Sequence, residues 1–127
     1  MDEGICLDTD ILIEIINGNK TIKEISEFKK SEVLCTTSIN VFELWLGEKE
    51  KDTLKLSELT EELFVFDFER ESAKIAANIL RKLKNEGKLI EFRDIFIGAI
   101  CIKNNLRLLT LNKKDFKRLE KFNLNLV

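Results

Sequence analysis

Short apolar runs alternating with stretches of helical periodicity limit this chain more than any other feature. Gly4-Ile5-Cys6-Leu7 reads as a buried strand, Val33-Leu34-Cys35-Thr36-Thr37, Phe64-Val65-Phe66 and Leu106-Arg107-Leu108-Leu109-Thr110-Leu111 as three further strands, and Leu124-Asn125-Leu126-Val127 as a short last one. Between them the pattern is helical. Asp10 opens a helix that runs to Ile16. Residues 21–30 carry Ile22, Ile25 and Phe28 on one face, and Ser38 is placed to cap a helix over residues 39–49. Leu54, Leu56, Leu59 and Leu63 mark a further helix. Ala73, Ala76, Ile79, Leu80 and Leu83 mark the next, over residues 69–86, which Gly87 ends. Residues 89–93 read as irregular. Asp94 then opens residues 95–102, apolar all round and therefore buried, with Asn104-Asn105 as the stop; residues 114–121 form a final basic helix. Each connection is long enough for a crossover, which predicts a mainly parallel sheet of four to five strands with helices on both faces. The expected fold is α/β, with residues 1–127 as one domain.

Composition narrows the chemistry. The chain has no histidine, which removes histidine general bases, Ser-His-Asp and Cys-His nucleophile systems, and histidine metal sites. Cys6, Cys35 and Cys101 are odd in number, lie in apolar contexts and lack paired metal-ligand spacing, so buried free thiols in a reducing compartment are expected. Charges interrupt every apolar run well before the roughly 18 to 20 residues of a membrane span. The acidic start, Met1-Asp2-Glu3, is unlike a signal peptide. The expectation is a cytoplasmic protein that does not engage a membrane.

Asp8 falls at the carboxyl end of the first strand, the edge at which open parallel sheets bind ligands. Asp10 either caps the following helix or joins the site. Asn40 and Glu43 lie one turn apart near a helix start. Glu43 stands among Ile39, Val41, Phe42, Leu44, Trp45 and Leu46, where burying a carboxylate is costly unless something pairs with it. Asp94 begins the buried helix, and Thr110 and Asn112 follow the fourth strand. All fall at one sheet edge. Asp8, Glu43 and Asp94 would repel one another there unless a hard cation joined them, and an oxygen-only site suits Mg2+ or Mn2+. Such a site polarises a phosphodiester, so its hydrolysis needs no protein nucleophile. Separate helix capping explains the acids one by one, but not Glu43 amid large hydrophobes.

These residues resemble the PIN-domain ribonucleases, and within them the VapC-type toxins of bacterial and archaeal toxin–antitoxin pairs, over essentially the whole chain. Leu7-Asp8-Thr9-Asp10 resembles the family's first motif, Ser38-Ile39-Asn40-Val41-Phe42-Glu43-Leu44 the second and Asp94-Ile95-Phe96-Ile97-Gly98-Ala99 the third. Thr110-Leu111-Asn112-Lys113-Lys114-Asp115-Phe116 resembles the fourth. The resemblance implies a metal-dependent endoribonuclease with Asp8, Glu43 and Asp94 as metal ligands and Asn112 in the catalytic set. Thr9, Asp10, Asn40 and Thr110 would support the ligands or their waters. Asn112 stands where the family often has an acid; Asp115, three residues on, either completes the site or caps the last helix. Also implied are an RNA substrate, a homodimer and a cognate antitoxin whose tail occupies a groove near the site. Apolar positions on the helices over residues 21–30 and 39–49 either form that groove or belong to the core.

The formal net charge of −2 argues against a general nucleic-acid binder. Residues 103–121, however, hold seven basic and two acidic side chains, a local +5 against −7 for the remainder. Either Arg93, Lys113, Lys114 and Arg118 contact RNA phosphates or the segment is a solvated helix face. Two rival readings stand beside the nuclease. One is an inactive PIN-like module that only binds a partner. The other is a haloacid-dehalogenase-like phosphatase, in which the first aspartate of Asp8-Thr9-Asp10 would be a covalent nucleophile. That class also wants Thr or Val where Leu12 stands, and a paired-acid loop where Asp94 stands without a neighbouring acid.

Overall fold

In the computed structural model, which describes residues 4–29, 33–88 and 91–127, β1 (Ile5–Leu7) pairs in parallel with β2 (Leu34–Thr37) on one side and β4 (Arg107–Leu109) on the other. The edges are β3 (Phe64–Phe66), beside β2, and β5 (Asn125–Leu126), beside β4, which gives the order β3-β2-β1-β4-β5 among the described residues. All four pairings are parallel.

The helices are α1 (Thr9–Ile16), α2 (Ile22–Lys29), α3 (Ser38–Leu46), α4 (Thr53–Glu62), α5 (Arg70–Asn85), α6 (Phe92–Lys103) and α7 (Lys113–Phe116). Strand pleating sorts the core. Along β1, Ile5 and Leu7 join Leu12, Leu44, Leu56 and Leu59 under α1, α3 and α4, while Cys6 points to the other face with Ile79, Leu83, Ile95 and Leu108 under α5 and α6. Right-handed crossovers impose this arrangement: β1 to β2 to β3 travels one way, β3 to β4 to β5 travels back, and the helices change face with the direction. The reversal falls between β1 and β4, the kind of switch point where such sheets open a crevice at their carboxyl ends.

Helix ends follow local chemistry. Gly87, at φ 72°, closes α5 with its amide on the Lys84 carbonyl and the Lys88 amide on Leu83, and Asn105, at φ 55°, closes α6 in the same way. The left-handed residue turns the chain back so that buried Leu106 leads into β4. Cys6, Cys35 and Cys101 are free and buried, as their contexts imply.

Several expectations shift. The last helix is α7 followed by a 3-10 turn over Lys117–Phe122, and a second 3-10 turn, Glu50–Asp52, precedes α4. Phe92 and Arg93, expected as irregular, form the start of α6; Leu89 and Ile90 lie outside the described residues, as do Lys30 and the side chain of Phe28. Thr37 rather than Ser38 caps α3, because Thr37 is the last extended residue (φ −118°, ψ 161°) and its hydroxyl accepts the Asn40 amide.

Candidate active site

Asp8 leaves β1 in extended conformation (φ −73°, ψ 164°) and is itself the cap of α1. Its Oδ1 accepts the Thr9 amide at 2.9 Å and Asn40 Nδ2 at 3.0 Å. Its Oδ2 accepts the Thr110 hydroxyl at 2.6 Å. The side chain is only 7% exposed. Burial pushes its pKa up; the bonds from Thr110, Thr9 and Asn40 favour the anion, and nearby Glu43 opposes it.

Asp10 is therefore not the cap. It lies in the first turn of α1 and reaches the end of β4, where its carboxylate accepts the Leu111 amide at 3.1 and 3.3 Å and faces the Thr110 hydroxyl at 3.3 Å. Burial, then Asp8, raise its pKa.

Asn40, fully buried, fixes the geometry between elements. The Thr37 hydroxyl donates to its Oδ1 at 2.7 Å, which leaves Nδ2 to donate to Asp8 and, at 2.9 Å, to the Thr9 hydroxyl oxygen. Thr9 passes the polarity on by donating to Glu43 Oε1 at 2.7 Å. The other Glu43 oxygen, Oε2, pairs with the Arg93 guanidinium at 3.0 Å. The hydrophobes next to Glu43 in sequence do not enclose it. Leu44 turns into the core, whereas Phe42, Trp45 and Leu46 face outward, because each residue rotates the helix by about 100°.

Asp94 lies in the first turn of α6, not at its opening, since the helix begins at Phe92 with Glu91 in the capping position. Burial, followed by the charges of Asp8, Asp115, Glu43 and Glu91, pushes its pKa up to about 6. Asp115 is likewise not a cap: Asn112 holds that position for α7. The Asn112 side chain donates to Asp115 Oδ2 at 3.0 Å, while its backbone amide donates to the Thr110 hydroxyl oxygen at 2.9 Å. Of the two residues, Asp115 is the one whose charge reaches Asp94.

The basic segment divides. Lys103 pairs with Glu69 at 2.6 Å and Lys121 with Glu86 at 2.7 Å, on acids outside this site, and Arg118 pairs with Asp115 at 3.5 Å. Lys113 and Lys114 are exposed beside the site. Sequence reasoning missed Thr37 and Glu91. A threonine three residues before Asn40 is a cap signal, yet Ser38 offers the same chemistry, and only the backbone angles choose between them. Among the described residues no ready-made cluster of three metal-ligating side chains is present. Asp8 and Glu43 are each tied to donors of the chain itself.

The fold and site together define a class: a doubly covered parallel sheet whose switch point carries a buried, oriented aspartate in the field of further acids. A model of the PIN domain matches residues 5–122. Ribonuclease VapC3 of Methanocaldococcus jannaschii is 38% identical over 96 residues, 74% of this chain and 94% of that protein. Ribonuclease VapC2 of Haemophilus influenzae is 30% identical over 118 residues, covering 88% and 89% of the two chains. Among solved structures, VapBC2 from Rickettsia felis bound to a DNA fragment from their promoter matches with a TM-score of 0.83 at 26% identity, over 98% of this chain and 97% of that one. The chain belongs to the PIN-domain family. Among the described residues no helix is long and apolar enough to cross a membrane.

Proposed function

We propose that this chain acts throughout its length as a metal-dependent endoribonuclease, the toxin of a toxin–antitoxin pair, with Mg2+ or Mn2+ held by Asp8, Glu43 and Asp94. The observation that carries the reading is a continuous hydrogen-bonded chain at one sheet edge: Asn40 joins Asp8 to Thr9, Thr9 donates to Glu43, and Glu43 pairs with Arg93, the residue before Asp94. Acids brought to one edge in this way fit a hard divalent cation by their chemistry, since the donor set is all oxygen. When bound, the cation would supply Lewis-acid polarisation of a phosphodiester. The likeness to proteins named Ribonuclease VapC supports RNA as the substrate.

The residues of the chain have separable tasks. Asn40 and Thr110 hold Asp8 oriented and favour its ionised form, and Thr9 orients Glu43. Asp10 anchors the end of β4 against α1. Asp115 acts on Asp94 from α7, with Asn112 hydrogen-bonded to Asp115, and Lys113, Lys114 and Arg118 supply positive charge for the phosphate backbone. A cleft of about 640 Å³ lined by Ile11, Ile25, Leu109 and Leu111 together with Lys20, Glu24 and Glu27 is the proposed seat of the antitoxin tail. The outward Phe42, Trp45 and Leu46 of α3 are the proposed homodimer face.

Labelled RNA incubated with the pure protein and Mn2+ or Mg2+ is expected to be cut, and both EDTA and Asp8→Asn to abolish cutting. Intact RNA together with metal-dependent release of phosphate from a small phosphoester would refute the nuclease in favour of a phosphatase. RNA left whole under all conditions, with a partner protein still bound, would refute it in favour of a binding module.

A further inference from the structure

Thr9 occupies one oxygen of Glu43, and Arg93 takes the other at 3.0 Å. Arg93 sits in the first turn of α6, immediately before Asp94, with 48% of its side chain in solvent against 18% for Glu43. The ion pair therefore joins a residue anchored in the site to a guanidinium with open water on its outer side. Thr9 is fixed in turn by Asn40, so Glu43 Oε1 is held by a buried network. Among the described residues Oε2 is paired with an exposed side chain, and it is the oxygen that can change partner.

Resting on the proposed function, we infer that Arg93 is an internal counter-ion which competes with the divalent cation for Glu43 and, once displaced, binds a phosphate of the RNA. A site rich in carboxylates is partly neutralised by the guanidinium when no dication is present. With a dication held at Glu43, Arg93 would be repelled and would give up Oε2. Released at the mouth of the site, the planar fork of donors matches two phosphate oxygens, which a lysine ammonium does not reproduce. Arg93 is thus a positioning residue in one state and a substrate-binding residue in the other.

Calorimetric titration of Mn2+ into RNA-free wild type, Arg93→Met and Arg93→Lys tests the first half. Arg93→Met is expected to bind Mn2+ about two- to fivefold tighter, the worth of a half-exposed ion pair, and Arg93→Lys to stay near wild type. Equal or weaker binding by Arg93→Met, with wild type binding normally, overturns the competition and leaves the nuclease reading intact. Absence of Mn2+ binding by wild type overturns both. Steady-state cleavage at several salt concentrations tests the second half. Arg93→Met is expected to raise KM more than it changes kcat, and to flatten the slope of log(kcat/KM) against log salt by about 0.7, the value for one contact to single-stranded nucleic acid. An unchanged slope overturns the phosphate role. Arg93 is exposed, so both variants are expected to fold, and their melting curves check this before titration.

Discussion

Replacing Asp94 by asparagine should stabilise the metal-free protein at alkaline pH, and the size of the effect follows from the structure. Burial first, and then Asp8, Asp115, Glu43 and Glu91, push this carboxyl from 3.8 to about 6. Between those two values the folded chain holds the proton more tightly than the unfolded chain. The contribution of the group to stability is therefore fully present below about pH 4 and is lost as pH rises through 6. At about 1.4 kcal/mol per pH unit the whole window is worth about 3 kcal/mol. Partial solvent screening reduces this to about 1–2 kcal/mol. In EDTA, Asp94→Asn should exceed wild type by that amount at pH 8 and match it at pH 4. Urea unfolding followed through Trp45, the single tryptophan, measures both. Saturating Mn2+ should reverse the order, since ligand at a hundredfold excess over its Kd adds about 2.7 kcal/mol to whichever protein binds it. A variant no more stable than wild type at pH 8, or one whose advantage persists unchanged at pH 4, would refute the electrostatic account of the site.

Three other substitutions separate the roles of neighbouring groups. Asp8→Asn is expected to abolish RNA cleavage, whereas Asp10→Asn, which keeps one acceptor for the Leu111 amide, should mainly weaken it; parallel rate measurements on one labelled RNA decide. Thr110→Val removes the 2.6 Å bond to a buried carboxylate and should cost about 1.5–3 kcal/mol in urea unfolding, with Thr110→Ser recovering most of the loss. Gly98→Val should lower the melting temperature, at a cost of about 1–3 kcal/mol. Any Cβ there meets Leu119 Cδ1 at 2.5 Å, and Leu119 is 1% exposed.

Strand positions, helix faces and the burial of the cysteines follow from patterns a few residues long, and these were legible. The length of an apolar run specifies a strand, though not its burial, since Phe64 on the edge strand β3 is exposed; 3.6-residue spacing specifies a helix face, and Gly87 or Asn105 specifies a stop, because each acts through its own backbone. The three acids and their order along the chain were legible in the same way. Capping was not: Asp8 rather than Asp10 caps α1, and Thr37 rather than Ser38 caps α3. Neighbouring residues of similar chemistry compete for such a position, and the last extended φ/ψ pair decides.

What depended wholly on the tertiary structure is the network that makes Asp8 special. Thr110 reaches it across 102 residues and Asn40 across 32. Neither contact leaves a trace in local composition, because each exists only once the chain has doubled back over the sheet and set the end of β4 beside the end of β1. The sequence alone determined which acids were available and on which edge they would lie. The fold decided which of them is buried, which donor holds each oxygen, and that Arg93 rests on Glu43, since these depend on the packing of distant elements rather than on neighbours in the chain.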